Sequence, residues 1–349
     1  MIMTRPMRFV GAAPPEQNVS VQLESVDCPL CAGQDYKTVV VSGDHLTRIG
    51  GNFQVVQCRR CQLAFTNPRP TERSIGLFYP ESYGPYSGHE PGRRVGRSLR
   101  RRLEHAVLRR RFGYPSQPTG PVTAVMGALG NAMIRTTRQR ESWIPFRQPG
   151  RMLDFGCGAG GFMKRMREHG WNVEGIDVSH EVAHQLRESA GFQVHIGTLP
   201  HPDIRPESFD AIAMWHSLEH VHSPRGVLQA ARDALRTNGL LVVGVPNFAS
   251  WTRQHFQHNW FGLELPRHLT HFTPATLSTM AEAEGFRVLS IVQVGHSSSV
   301  RKSAHRAAQS GSGSWWQRSL QWNRLSRPVA QWAQRIGQAD AFRMIAEKV

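Results

Sequence analysis

The run Leu153-Asp-Phe-Gly-Cys-Gly-Ala-Gly-Gly161 constrains the fold more than any other stretch of this chain. Leu153 to Phe155 read as the end of a buried strand. The glycines after them make a tight turn, and from Gly161 onward Phe162, Met163 and Met166 have the apolar spacing of a helix. Strand, glycine turn and helix N-terminus in that order form a nucleotide-handling device: backbone N–H groups point at the ligand, and no Cβ blocks its approach. Downstream, strand and helix patterns alternate. Strands are expected at 151–155, 172–177, 192–196, 209–215, 239–245, 286–294 and 341–347. Helices are expected at 160–169, 179–190, 223–236 and 274–284, with Pro224 in the first turn of its helix and Gly239 ending it. This predicts an α/β, Rossmann-like, doubly wound and mostly parallel seven-stranded sheet.

Two cofactor patterns fit the glycines. Gly156, Gly158 and Gly161 satisfy G-x-G-x-x-G, and Asp177 ends the next strand about 20 residues on, where a dinucleotide's ribose-binding acid belongs. Gly156, Gly158 and Gly160 with Asp154 equally satisfy D-x-G-x-G, the first motif of class I S-adenosylmethionine (SAM) methyltransferases. Asp154 favours SAM over NAD or FAD. A carboxylate there would repel a pyrophosphate, whereas SAM has no phosphate and carries an ammonium and a sulfonium.

Four of the five cysteines form two knuckles, Cys28-Pro-Leu-Cys31 and Cys58-Arg-Arg-Cys61, with 26 residues between them. Two thiolates from each knuckle complete a tetrahedral, closed, structural Zn²⁺ site. Strands at 37–41 and 53–57 around Gly50-Gly51 suit a small zinc ribbon. Pairing of this kind argues for metal in a reducing compartment rather than disulfides. Leu63, Phe65, Pro68, Phe78, Tyr79, Tyr83 and Tyr86 either pack this module on the main domain or stack on a substrate ring.

The chain has 349 residues, too many for one average domain. We divide it into a tail (1–24), a zinc-binding module (25–90), a basic helical connector (91–148) and a core domain (149–349) carrying a helical insertion at about 297–338. The tail lacks the apolar segment of a secretory signal. No run of 18 apolar residues exists, so no transmembrane helix is expected. The formal charge of +16 suits either an anionic partner or an arginine-rich proteome. Residues 93–111 hold nine arginines and one acid, with Leu99, Leu103 and Val107 at helical spacing. Such a helix can lie on RNA or lipid phosphates, or be a solvated connector. In the insertion, Ser310 to Ser314 read as a flexible linker. Beyond it Trp322, Leu325, Val329, Trp332 and Ile336 recur at helical spacing among Arg318, Arg324, Arg327 and Arg335, with Pro328 splitting or bending the helix. Those residues either cover the acceptor cleft or rest on a membrane interface. The chain is expected in the cytoplasm or peripherally at the inner membrane face.

Taken in order, Leu153–Gly161, Val173–Val178, Phe209–Pro224 and Pro266–Leu277 resemble bacterial class I SAM-dependent methyltransferases of a subgroup with an amino-terminal zinc-binding segment. Cys58-Arg-Arg-Cys61 and the following Asn-Pro-Arg-Pro carry the same resemblance. It implies that Asp154 and the turn Gly156-Cys157-Gly158-Ala159-Gly160 hold the methionine part of SAM. Asp177 would accept hydrogen bonds from the ribose hydroxyls, next to Val178. Thr198 and Leu199 would serve the adenine through backbone groups, since no acid stands there. Trp215 and His216 would line the cofactor and acceptor sites.

An acceptor hydroxyl calls for a general base, and His216, His220, His268 and His271 all fall after core strands. His216-Ser-Leu-Glu219-His220 resembles the Glu-x-x-Glu-His run of ubiquinone-biosynthesis O-methyltransferases, in which a divalent cation is held. Here the first Glu is His216, so loop orientation by Glu219 and His220 competes with metal binding. Asn247, Trp251, Phe256, Trp260 and Phe261 are candidates for an acceptor wall or for core packing. The expected activity is methyl transfer to a small molecule such as a sugar, a nucleotide-sugar or an envelope or secondary-metabolite precursor. An RNA methyltransferase and a non-catalytic SAM- and zinc-binding module are the alternatives.

Overall fold

The computed structural model describes residues 21–80, 83, 108, 112–114 and 143–349. The arginine-rich helix expected over 93–111 and most of the connector lie outside the described residues. In chain order, an amino-terminal group of strands comprises β1 (Leu23–Glu24), β2 (Tyr36–Gly43), β3 (Asn52–Cys58), β4 (Ala64–Thr66) and β5 (Arg69–Pro70). The alternating part follows: β6 (Arg151–Phe155), α1 (Gly161–Glu168), β7 (Asn172–Asp177), α2 (His180–Ala190), β8 (Gln193–Ile196), β9 (Phe209–Trp215), α3 (Pro224–Ala234) and β10 (Leu235–Pro246). Then come α4 (Trp251–Phe256), β11 (Thr270–His271), α5 (Pro274–Ala283), β12 (Phe286–Val294), α6 (Ser297–Gln309), α7 (Trp315–Ser319), α8 (Asn323–Arg335) and β13 (Ala341–Lys348).

The main sheet has seven strands in the order β12-β13-β10-β9-β6-β7-β8. Strands β8, β7, β6, β9 and β10 run parallel, and β13 slots antiparallel between β10 and β12. The order reverses between β6 and β9, which opens a crevice at their carboxyl ends. Their composition explains their place. Phe-Asp-Ala-Ile-Ala-Met of β9 and Met-Leu-Asp-Phe of β6 are buried without alternation, the signature of strands covered on both faces. The helix ends are capped locally. Ser179 accepts from the Val182 N–H at the start of α2, Gly191 closes that helix in the left-handed conformation, and Thr273 with Thr276 forms a capping box on α5.

Three expectations need correction. Helix α3 stops at Ala234, and Gly239 lies inside β10, where the pairing with β9 slips between Leu235 and Leu240. The Gly-Ser stretch 310–314 is not a free linker. Gly313 N–H bonds Ala307 O at 2.9 Å, and Ser314 with Gln317 caps α7. Helix α8 is not split at Pro328, which lies inside one helix. Its small residues Ser326, Ala330 and Ala333 face inward, which turns Trp322, Leu325, Trp332 and Ile336 out to solvent.

The second sheet, β11-β4-β3-β2, joins the amino-terminal strands to a segment of the main domain. Its strand β11 belongs to the run expected to be an acceptor loop, and it pairs Thr270 with Phe65 and His271 with Ala64. Beneath this sheet Phe53 and Phe78 share a buried cluster with Phe256, Trp260 and Leu263. Phe256 and Trp260 are therefore packing residues, and the aromatic stretch after β10 anchors the cysteine-bearing strands to the main domain. Arg267 makes the join specific. Both terminal nitrogens bond the Asp44 carboxylate, at 3.1 and 2.8 Å, with side chains 1% and 0% exposed.

Candidate active site and metal centre

The turn after β6 and the loop after β9 meet at the switch point. Gly156 (φ 71°), Gly158 (φ 46°) and Gly160 (φ 72°) all take the left-handed conformation, which side chains resist. A Cβ on Gly156 would lie 2.6 Å from Ser217 Cβ, and one on Gly160 would lie 2.5 Å from a Leu186 methyl. Asp177, at the end of β7, closes the turn. Its carboxylate accepts from Gly158 N–H at 2.9 Å and Ser179 N–H at 3.0 Å. Behind the turn Cys157 is buried and faces Gly175, so its side chain packs and only its backbone lines the turn. Val178 stands 65% exposed, and Thr198 is exposed while the Leu199 side chain is in the core.

Asp154 is fully buried. Burial pushes its carboxyl up to about 7, the charge of Asp177 adds to this, and Arg165 opposes it. Burial also raises Asp177, against its N–H donors. A pair of acids under such strain gains from a cationic ligand. The loop after β9 holds a second sign of a ligand. Trp215 Nε1, Ser217 Oγ and Glu219 Oε2 are buried polar atoms without a hydrogen-bond partner among the described residues, a state that costs about 1–3 kcal/mol per group. The Trp215 ring meets Phe162 edge-on, and glycine at 244 makes room for it.

His216 follows Trp215 in a left-handed conformation (φ 51°), unusual for a non-glycine residue. Its side chain is 51% exposed, and Nδ1 lies 3.3 Å from Oε1 of the buried Glu219. Burial opposes its protonation, but the Glu219 hydrogen bond and charge, with Glu264 and Asp340, outweigh it and raise its pKa. Glu219 shows the reverse: burial raises it, and His216 with the charges of His268 and His220 hold it below the usual range. His220 is pushed down to about 4 by burial and then by His268. Its Nδ1 lies 2.9 Å from the Tyr79 hydroxyl, and its ring sits edge-on to His268 at 4.6 Å.

His268 is buried, with Nδ1 2.9 Å from Gly262 O and Nε2 3.7 Å from Glu264. Glu264 also accepts from the Tyr83 hydroxyl at 2.8 Å and Arg267 at 3.3 Å. It drops to about 2, because His268, His220 and Arg267 outweigh its burial. Glu219, His220 and His268 each bring one ligand atom within 4.8 Å of the others, a donor set that can hold a cation. His271 is set apart: it lies in β11, with Nε2 3.2 Å from Thr66 Oγ1. Asn247 is a framework residue that donates to Ala339 O and accepts from Ala249 N–H. Sequence reading had no means of pairing Tyr79 with His220, since 141 positions separate them. Glu264 and Asp44 carried no local signal either.

In the amino-terminal sheet the four thiols converge. Cys28 Sγ lies 3.4 Å from Cys61 Sγ, and Cys31 Sγ 3.6 Å from Cys58 Sγ. All four sulfurs lie within 4.8 Å of one another and none forms a disulfide. Tetrahedral Zn–S bonds of about 2.3 Å place sulfurs roughly 3.8 Å apart, so the set fits zinc. The two knuckles repeat one geometry. Ala32 and Gln62, each directly after a knuckle, have φ 54° and 64°, and each donates to the carbonyl of its knuckle's first cysteine.

Fold, switch-point crevice and acid-lined glycine turn together define a SAM-dependent methyltransferase. Comparison with known proteins agrees: residues 131–291 match the family model described as "Methyltransferase domain". The ubiquinone biosynthesis O-methyltransferase of Aeromonas salmonicida is 30% identical over 165 residues, 43% of this chain and 69% of that protein. Its Idiomarina loihiensis counterpart is 28% identical over 156 residues, 40% of this chain and 63% of its own length. Among solved structures, a SAM-dependent methyltransferase from Thermotoga maritima is similar at 18% identity and a TM-score of 0.42, covering 64% of this chain and 95% of that one. The chain belongs to the SAM-dependent methyltransferase family.

Proposed function

We propose that this protein methylates a hydroxyl group of a small-molecule acceptor, with His216 as general base and Glu219 as its positioning carboxylate. The observation that carries the reading is the loop Trp215–Glu219. It packs on the glycine turn, holds three buried polar atoms without partners among the described residues, and presents an exposed histidine backed by a buried carboxylate. The names of the O-methyltransferase relatives support a hydroxyl acceptor.

SAM, when bound, supplies a methyl group made electrophilic by its sulfonium. Asp154 and the backbone of Gly156 to Gly160 would hold its amino-acid portion, Asp177 the ribose, and Val178, Thr198 and Leu199 the adenine. Glu219 accepts from Nδ1–H of His216, which leaves Nε2 free to take the acceptor's proton as its oxygen attacks. His220, neutral at physiological pH and hydrogen-bonded to Tyr79, and the buried His268 shape the acceptor side. The Cys28, Cys31, Cys58 and Cys61 set would hold one structural Zn²⁺. Trp315 and Trp322, 83% and 72% exposed, favour a peripheral membrane contact by the carboxyl-terminal helices as a second property.

Labelled SAM offered with phenol, catechol and sugar-phosphate acceptors tests the reading. Methyl transfer to oxygen, reduced at least 100-fold in His216→Ala at unchanged SAM affinity, is expected. Transfer to RNA alone, or SAM binding without turnover on any small acceptor, would overturn it.

A further inference from the structure

Asp44, whose carboxylate is held by Arg267, also lines a second cavity of 530 Å³. Its basic side chains come from two separate elements. His45 and Arg48 come from the loop after β2, while Arg301, Lys302 and Arg306 come from one side of α6, at helical spacing. Between them stands Phe261, with Lys302 Nζ 4.1 Å and the Arg306 guanidinium 4.9 Å from its ring centre.

The charge balance of this cavity is lopsided. Arg48, Arg301, Lys302 and Arg306 bring four cations. Among the described residues its lining has one carboxylate, Asp44, and that is already bonded by Arg267, the Thr47 hydroxyl and the Leu46 N–H. No Asp or Glu stands anywhere between Glu284 and Asp340 to offset α6. Among the described residues Arg306 donates to the carbonyls of Trp260 and Phe261, and burial pushes it down to about 10. Cations gathered without counter-charge in a partly closed space favour a multiply charged anion. Guanidinium forks and an ammonium match the oxygens of a phosphate better than a lone carboxylate, which would leave most of the charge unbalanced. The volume suits part of a small ligand, and the cations converge on a cavity rather than spreading along a strip as a nucleic-acid strand would require.

Arg267 connects Asp44 of this cavity to Glu264, which lies beside His268, and we propose that the cavity binds a phosphate or diphosphate group carried by the methyl acceptor. The assignment to the acceptor rests on the proposed methyl transfer; the anion site itself does not.

The test is calorimetric titration of the full chain with inorganic pyrophosphate, for wild type and for Arg48→Glu and Lys302→Glu, both exposed positions. Micromolar to millimolar binding that weakens at least about tenfold in each variant, with melting temperature and SAM affinity unchanged, is expected. No pyrophosphate binding by wild type, or equal binding by the variants, overturns the site. Failure of the methyltransferase reading shows instead as absent SAM binding, measured in the same proteins. Sedimentation with phosphatidylglycerol vesicles separates the sources. Pelleting lost in the variants and competed by pyrophosphate assigns the phosphate to a lipid-linked acceptor. Pyrophosphate binding without pelleting assigns it to a soluble one.

Discussion

Gly156 and Ser217 are in direct contact: a Cβ added to the glycine would sit 2.6 Å from that of the serine. The turn that would hold SAM and the loop that carries His216 are thereby fixed to one another. Gly156→Ala should displace that loop, strained further by its φ of 71°, and lower both SAM affinity and turnover by an order of magnitude or more. The double variant with Ser217→Gly should recover part of the loss. Calorimetry and initial rates on the four proteins check this, and equal losses in single and double variants would refute the contact as the cause.

Asp154 should link cofactor binding to pH. Its carboxyl sits at about 7 in the folded protein against a reference of 3.8. The folded state therefore binds its proton more tightly than the unfolded chain does, and stability falls as pH rises from about 4 to 7. Asp154→Asn should melt higher than wild type at pH 8, with the difference shrinking toward pH 5, while SAM affinity drops at least about tenfold. Wild-type SAM affinity should itself weaken as pH falls below 7. Melting curves and titrations across that range decide the matter.

His216 should set the acid limb of the pH–rate profile. Glu219 raises its pKa above 6.5, so a base that must be neutral becomes active only at higher pH, and the rate should climb through that raised value. Glu219→Gln should shift the limb to lower pH and cut the maximal rate, since it removes the charge that favours the protonated imidazole. A limb that stays in place in the variant would assign it to another group.

Metal should bear on the cysteine module more than on chemistry. Zinc analysis should give about one ion per chain, and Cys58→Ser should lose it and unfold at a lower temperature by several kcal/mol of stability. Because β11 pairs with β4 and Arg267 with Asp44, the loosened module should also expose the loop around His268 to protease. A folded, metal-free wild type with an unchanged melting curve would exclude the structural zinc.

Much of this architecture was written in local pattern. The order of strands and helices from residue 151, the glycine turn with Asp154 and Asp177, and the paired knuckles depend on neighbours within a few turns of chain. Buried apolar runs, caps and Cys-x-x-Cys spacing report such neighbours directly. Gly239 misled because a glycine after a helical pattern signals its end, whereas here pairing with β9 began four residues earlier, at Leu235.

Tertiary structure alone decided how the amino-terminal strands meet the main domain. Thr270 and His271 became a strand because β4 offered them an open edge. Phe256 and Trp260 became packing residues because Phe53 and Phe78 came to lie beneath them. Tyr79 reached His220, and the fully buried Arg267 found Asp44 223 positions away. Sequence determined each element and the chemistry it carries, because hydrogen bonds and side-chain periodicity within an element are local. Which histidine faces a cleft, which is locked in a sheet and where uncompensated charge collects depend on contacts between distant segments, and those exist only once the core has closed.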